Sequence, residues 1–202
     1  MKKLIIIGAS GHGKVVADIA KKNEYTDISF LDDNTELSEC AGYPVIGTCS
    51  DLDKIECDFV VAIGDAHIRK QLQERISSAG KCAVTLIHPD AVIGENVVVG
   101  EGTVIMAGAV VNPYATIGKG CIINTCASVD HDSTVGDYVH ISVGAHLSGI
   151  VEVGKNTWIG VGAVVNNCIT ICENCTVGAG SVVIKDIEES GTYVGVPAKK
   201  VK

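Results

Sequence analysis

Aromatic side chains are scarce in this chain: they make up 4% of 202 residues, against 47% hydrophobic residues and 23 glycines. A core with so few large rings must be filled by many small and β-branched side chains, which points to a repetitive architecture. A run of lysine and arginine is also missing, and the formal net charge is −8. No basic surface is available to neutralise a nucleic-acid backbone, so an anionic ligand has to be held locally. No stretch of about 20 apolar residues exists to span a bilayer. The N-terminal apolar run is only "LIIIG", too short for a secretory signal, so the expected location is the cytoplasm. Nine irregularly spaced cysteines, an odd count, do not form a disulfide framework; they are expected to be thiols, most of them acting as small buried hydrophobes.

What is present divides in two. Over residues 1–80, apolar runs alternate with helical spacing: "KLIIIGA", "KVVADIAKK", "ISFLDD", "DFVVAIGD" and "AHIRKQLQERISSAG", the last closed by Gly80. Strands separated by helices predict a small parallel sheet of Rossmann-like α/β type, with ligands bound at the carboxyl ends of the strands. The loops at those ends are "GASGHG", "DD" and "GDAH". The polar connection over about 33–57 is a place where specificity can vary.

From Ile87 onward an aliphatic residue recurs every sixth position through Val183, seventeen consecutive times without an insertion. Two residues before most of them stands a small side chain, such as Ala109, Ala115, Cys121, Ala127, Ser133, Ala145 or Ala163. Residues i and i−2 of a strand share a face, so both point inward. A hexapeptide repeat of this kind builds a parallel β-solenoid. The predicted division is 1–82 for the α/β domain and 83–202 for the solenoid with its C-terminal tail. "CITICENC" contains Cys168, Cys172 and Cys175. Cys175 falls on the small inward position while Cys172 directly follows an inward Ile, so these two are expected to face opposite ways, against a metal or redox role.

Within the repeat, "VDHDSTVGDYVHISVGAHLSG" inserts His131, Asp132, His140 and His146 without breaking the phase. His131 and Asp132 fall at a turn, where side chains need not fill the core. The bland reading is a turn that tolerates polar residues; an adjacent His-Asp pair favours general base catalysis instead, with the carboxylate raising imidazole basicity and fixing its tautomer. Backbone N–H groups around Gly149 in "LSGI" are placed to stabilise an oxyanion. A covalent route through Ser128, Ser133 or Cys126 is less favoured, since Ser133 lies on the inward phase. His131 and His140 are half an 18-residue coil apart and meet only across a subunit boundary, as in a closed ring of heterologous contacts such as a trimer. In "GASGHG" the glycines at 8, 11 and 13 lack dinucleotide spacing, yet they permit close approach of phosphates to a helix N-terminus. Asp32 and Asp33 either bind ribose hydroxyls or base N–H groups, or simply cap a loop.

Together "GASGHGKVVADIA", "FLDD", "AIGDAHIRK", "LIHPDA", "VDHDSTVGDYVHISVGAHLSG" and "YVGVPAKKV" resemble the sialic-acid and bacillosamine type of hexapeptide-repeat acetyltransferase over practically the whole chain. The resemblance implies a left-handed β-helix, a homotrimer, acetyl-CoA as co-substrate without a metal, and a nucleotide-sugar acceptor. It implies His131 as general base with Asp132 as its enhancer. It also implies Ser10, Gly11, His12, Asp32, Asp33 and Gly64 as the nucleotide-sugar site, and His140, Gly149, Val161 and Ala179 as the acetyl-CoA site. The expected reaction is N-acetylation of a UDP-linked 4-amino-4,6-dideoxy sugar, with sugar O-acetylation as the alternative. A γ-carbonic-anhydrase-like zinc lyase using His131, His140 and His146, and a non-enzymatic scaffold, are the readings from other classes.

Overall fold

The computed structural model describes residues 2–201. They form two compact units, divided between Pro89 and Asp90. No helix among the described residues is long and apolar enough to cross a membrane.

In the first unit, β1 (Lys3–Ile7) is followed by α1 (Gly11–Lys22) and β2 (Asp27–Leu31). A hairpin of β3 (Glu39–Cys40) and β4 (Tyr43–Pro44) and a short 3-10 turn at Cys49–Lys54 precede β5 (Asp58–Val61) and α2 (Ala66–Ser78). The parallel sheet has the order β2-β1-β5, with Ile6 paired to both Phe30 and Val60. Continuous apolar runs suit strands buried on both faces, and Leu4, Ile5, Ile6 and Ile7 are all fully buried. The polar connection is ordered by its hairpin and by a reciprocal cap between Thr48 and Asp51. Asp65 caps α2 by accepting from Ile68 N–H at 2.9 Å. The turn from β1 into α1 requires glycine twice. Gly8 has φ 110°, and a Cβ on Gly13 would stand 2.1 Å from the Gly8 carbonyl oxygen.

The second unit is a left-handed parallel β-helix of about six turns. The last residue of each strand is the aliphatic of the hexad, from Ile93 through Val183. Strands stack in register on the strand 18 residues further on, as in Thr116–Ile117 on Thr134–Val135 and His140–Ile141 on Trp158–Ile159. One face carries the outward residues Val98, Thr116, Thr134, Glu152 and Thr170. A second carries Val92, Val110, Ser128, His146, Val164 and Val182. The third includes Val104, Ile122, His140, Trp158 and Thr176.

Each corner turns through a residue of left-handed backbone, three positions after the aliphatic. Glycine fills it at 102, 108, 120, 144, 162 and 180; Asn96, Asn156, Asn174 and Asp132 also stand there, as does the β-branched Ile150 at φ 61°. Asn and Asp tolerate this region and Ile is costly there. The inward polar side chains are satisfied by the neighbouring coil. Ser133 donates to the Ser148 carbonyl at 3.2 Å and accepts from Val151 N–H at 3.1 Å. Thr103 and Thr157 repeat the same bridge.

The cysteines differ from expectation in two respects. Only Cys40, Cys121 and Cys175 are buried, while Cys82, Cys126 and Cys168 are exposed. Cys172 and Cys175 do not point apart: their sulfurs lie 3.4 Å from each other. Strand alternation does not extend across a corner. The chain bends between the two residues, so a side chain entering the corner meets the small inward residue three positions later.

The fold makes the inward phase decisive for stability. Ile141, fully buried, should cost about 2–5 kcal/mol on substitution to Ala. Thr134→Ala, on the exposed face, should stay within about 0.5 kcal/mol of the parent. Denaturant unfolding with a common slope checks both.

Candidate active site

His131 and Asp132 occupy the corner between the second and first faces, and both are exposed, by 53% and 57% of their side chains. Imidazole Nδ1 and Asp132 Oδ2 are 2.7 Å apart. The left-handed backbone of Asp132, φ 56°, turns its carboxylate back toward the preceding ring. Asp132 N–H is tied to the Pro113 carbonyl one coil earlier at 3.2 Å. A second carboxylate fixes the backbone. Asp130 Oδ1 accepts from His131 N–H at 2.7 Å and from Asn112 Nδ2 at 2.6 Å, and those bonds hold the Asp130 carboxyl below its ordinary range. The hydrogen bond that Nδ1–H donates to Asp132 raises the His131 pKa above that of a free imidazole; desolvation opposes this and the Asp130 charge adds to it.

A carboxylate on Nδ1 leaves Nε2 as the ring's open nitrogen. That nitrogen lies over Gly149, one coil further on, where a Cβ would stand only 2.5 Å from it. Gly149 therefore makes room for the imidazole ring. Its own N–H has no backbone acceptor among the described residues, while its carbonyl accepts from Cys168 N–H.

His140 lies elsewhere, on the third face. Its Nε2 faces Asn124 Nδ2 at 3.0 Å, and its ring stacks on Trp158 with centroids 6.0 Å apart and planes 11° apart. The amide donor makes Nε2 an acceptor, which puts the ring proton on Nδ1. Trp158 Nε1 donates to Ser142 Oγ. His146 stands on the second face with Nδ1 at 2.9 Å from Ser128 Oγ. The three histidines are thus on separate surfaces, and no group of three potential ligands converges on a metal position among the described residues. Val161 and Ala179, one coil apart at the corner between the third and second faces, are both exposed. Each chain therefore presents the dyad with Gly149 at one corner and the other acetyl-CoA candidates on the next face and corner.

In the first unit, Ser10 stands at the N-cap of α1 without using its side chain as a cap. Gly11, His12 and Gly13 form the first turn, whose N–H groups have no partner within the helix. His12 Nε2 is buried without a hydrogen-bond partner. Burial and the Arg69 charge push its pKa down to about 4, so the ring is neutral. Arg69 is buried, and its Nη1 donates to the carbonyls of Ile63 and Gly64 at 2.8 Å each. Asp32 and Asp33 both serve the backbone: Asp32 accepts from Ala9 N–H at 2.7 Å and from Asn34 N–H at 2.9 Å, and Asp33 accepts from Cys49 N–H at 2.9 Å. Asp32 thereby fastens the glycine loop to the end of β2. Sequence reasoning passed over Arg69, Asn112, Asp130 and Trp158. The solenoid three lie a single 18-residue step from Asp130, Asn112 and His140 respectively, a signal the repeat already contained; a buried arginine in an otherwise polar helix carried none.

Residues 3–76 match the PglD N-terminal domain. The chain is 42% identical to the acetyltransferase domain of PglB from Neisseria gonorrhoeae, covering 100% of both chains with a TM-score of 0.96. The chain belongs to this hexapeptide-repeat acetyltransferase family. That domain has also been solved with acetyl coenzyme A, at 43% identity over 99% of each chain. Another member, a His-to-Asn mutant of perosamine N-acetyltransferase from Caulobacter crescentus in complex with CoA and GDP-perosamine, is 36% identical, covering 100% of this chain and 98% of that one, with a TM-score of 0.97. UDP-N-acetylbacillosamine N-acetyltransferase of Bacillus subtilis is 40% identical over 113 residues, 53% of this chain and 52% of that protein. The chain thus aligns with about half the length of this curated relative.

Two measurements test the dyad in this family frame. Asp132→Asn removes the anion that favours imidazolium, so the His131 titration followed by NMR should move to lower pH; an unchanged midpoint would mean the 2.7 Å contact is not made in solution. Gly149→Ala places a methyl against Nε2 and should lower acetyl transfer by roughly 10-fold or more through displacement of the ring, measured by steady-state kinetics with melting as the control for folding.

Proposed function

We propose that the protein is an acetyl-CoA-dependent N-acetyltransferase acting in the cytoplasm on the 4-amino group of a UDP-linked 4-amino-4,6-dideoxy sugar. The observation that carries this reading is the His131–Asp132 pair at 2.7 Å with its open Nε2 over Gly149. A neutral amine is the nucleophile. As it attacks the thioester carbonyl, Nε2 takes its proton; the tetrahedral intermediate then collapses and the CoA thiolate leaves. Asp132 stabilises the imidazolium formed in that step. The N–H of Gly149 is the donor we assign to the developing oxyanion. Transfer is direct, within a ternary complex, and the gain comes from holding amine and thioester together.

For the acetyl donor we assign His140, Gly149, Val161 and Ala179. Because His140, Val161 and Ala179 stand on a different face and corner from the dyad, a complete site requires two chains. A homotrimer with heterologous contacts supplies three such junctions. Of the exposed apolar residues, Val143, Trp158, Val161 and Val164 lie on the second and third faces or their shared corner, and Ile150 lies at the corner of the dyad, while Val98 lies on the remaining face, whose other outward residues are mainly threonine. For the nucleotide sugar, we assign the diphosphate to the open N–H groups at Gly11 and His12, with Ser10 beside them. His12 Nε2 and Gly64 are assigned to the same ligand, and Asp32 and Asp33 shape its rim while offering their remaining lone pairs to ribose or base.

Acetyl-CoA with a panel of UDP- and GDP-linked 4-amino sugars and with sialic acids, monitored by thiol release, tests the reading. Turnover should be confined to the amino sugars and highest with UDP; turnover with sialic acid alone would transfer the assignment to O-acetylation. His131→Ala should lower kcat by roughly 10²–10⁴ while leaving acetyl-CoA binding nearly unchanged. Mixing inactive His131→Ala and His140→Ala chains should restore activity through junctions that inherit both intact residues. No recovery after verified subunit exchange would refute a shared site.

A further inference from the structure

The cysteine pair of "CENC" is given no role in the acetyl transfer proposed above. Cys172 opens a corner of the β-helix, Asn174 turns it with φ 57°, and Cys175 enters the core as the small inward residue of the next strand. The sulfurs are 3.4 Å apart. A disulfide bond is about 2.0 Å long, so side-chain rotation of little more than an ångström brings them to bonding distance. The two thiols differ in access: Cys172 is half-buried and Cys175 buried. Backbone bonds hold both ends of the corner. Cys172 N–H donates to the Ile187 carbonyl at 2.8 Å and Cys175 N–H to Thr157 Oγ1 at 3.2 Å.

We propose that Cys172 and Cys175 are a redox-active dithiol, closed to an intrachain disulfide by exchange with a low-molecular-weight disulfide such as oxidised glutathione. Cys172, the accessible member, attacks as thiolate: a Cys172–glutathione bond forms, the glutathione disulfide bond breaks, and one glutathione thiolate leaves. Cys175 then attacks the Cys172 sulfur, forming the intrachain bond and expelling the second glutathione thiolate. The protein dithiol is oxidised by two electrons, one glutathione disulfide is reduced to two thiols, and the cysteine protons end on them. The difference in access makes Cys172 the entry point, while burial and the neighbouring Cys172 raise the Cys175 thiol above its ordinary range.

The bond would lock the corner into which the C-terminal segment is tied. Cys175–Val177 pairs with Gly191–Val194, and Cys175 Sγ lies 3.7 Å from the Glu189 carbonyl. The exposed Cys126 and Cys168 provide an internal comparison, because they can accept glutathione but have no sulfur partner at this distance among the described contacts.

Folded protein titrated with mixtures of reduced and oxidised glutathione, then alkylated and digested, tests the proposal. The expected product is a linked Cys172–Cys175 peptide, lighter by the hydrogens lost, reopened by excess thiol. Cys175→Ala should trap glutathione on Cys172, and Cys172→Ala should leave Cys175 unmodified under the same conditions. A stable glutathione adduct on wild-type Cys172 with no linked peptide would overturn the proposal. So would alkylatable Cys172 and Cys175 under conditions that convert the exposed cysteines. Because the wild-type titration reads peptide mass alone, it decides the matter even where a variant fails to fold, and it is independent of the acetyl-transfer reading.

Discussion

Everything in the solenoid depends on backbone register. Each short strand bonds to the one 18 residues later, as Thr116 N–H to the Ser133 carbonyl, Thr134 N–H to Val151 and Glu152 N–H to Ile169. That ladder encloses an interior filled by two inward side chains per strand, an aliphatic and a partner that is mostly small, with Val139, Val151 and Ile169 the larger exceptions. An insertion inside a strand would throw the inward set outward, since strand side chains alternate with a period of two. Chemistry is thereby confined to outward positions and corners. The same ladder makes those positions rigid, and a catalytic group placed there inherits the precision of the stack.

The dyad shows how this is used. His131 is held by its own N–H to Asp130, Asp130 by Asn112 one coil before, and the ring by the absence of a side chain at Gly149 one coil after. Three successive coils therefore define one imidazole. The left-handed corner residue, usually glycine or asparagine in this chain, is Asp132 here, and the conformation required by the corner is also the one that brings its carboxylate to Nδ1. The first unit uses a different device. Close packing of Gly8 against Gly13 lets α1 begin directly at the end of β1, and Asp32 pins the loop between them. His12 is kept neutral there with an unused nitrogen.

The hexad phase from Ile93 to Val183, the α/β alternation before it, and the emergence of His131 and Asp132 at a corner were all legible from residue order, because strand period, repeat length and glycine-rich turns are local properties. The small parallel sheet and the separate surfaces of His131 and His140 agree with that reading. The cysteine pair was misread because alternation was carried across a bend, where it does not hold.

What the sequence by itself determined is the class of each segment and the phase of each side chain, in or out, since both follow from periodicity within a few residues. Only the tertiary structure decided the partners: Asn112 on Asp130, Trp158 on His140, Gly149 beneath His131, Arg69 on the carbonyls of Ile63 and Gly64, and Cys172 on Cys175. These contacts form between coils, between a loop and a helix, or across a corner. There distance is set by how the chain stacks and turns, and no local pattern of residue types encodes it.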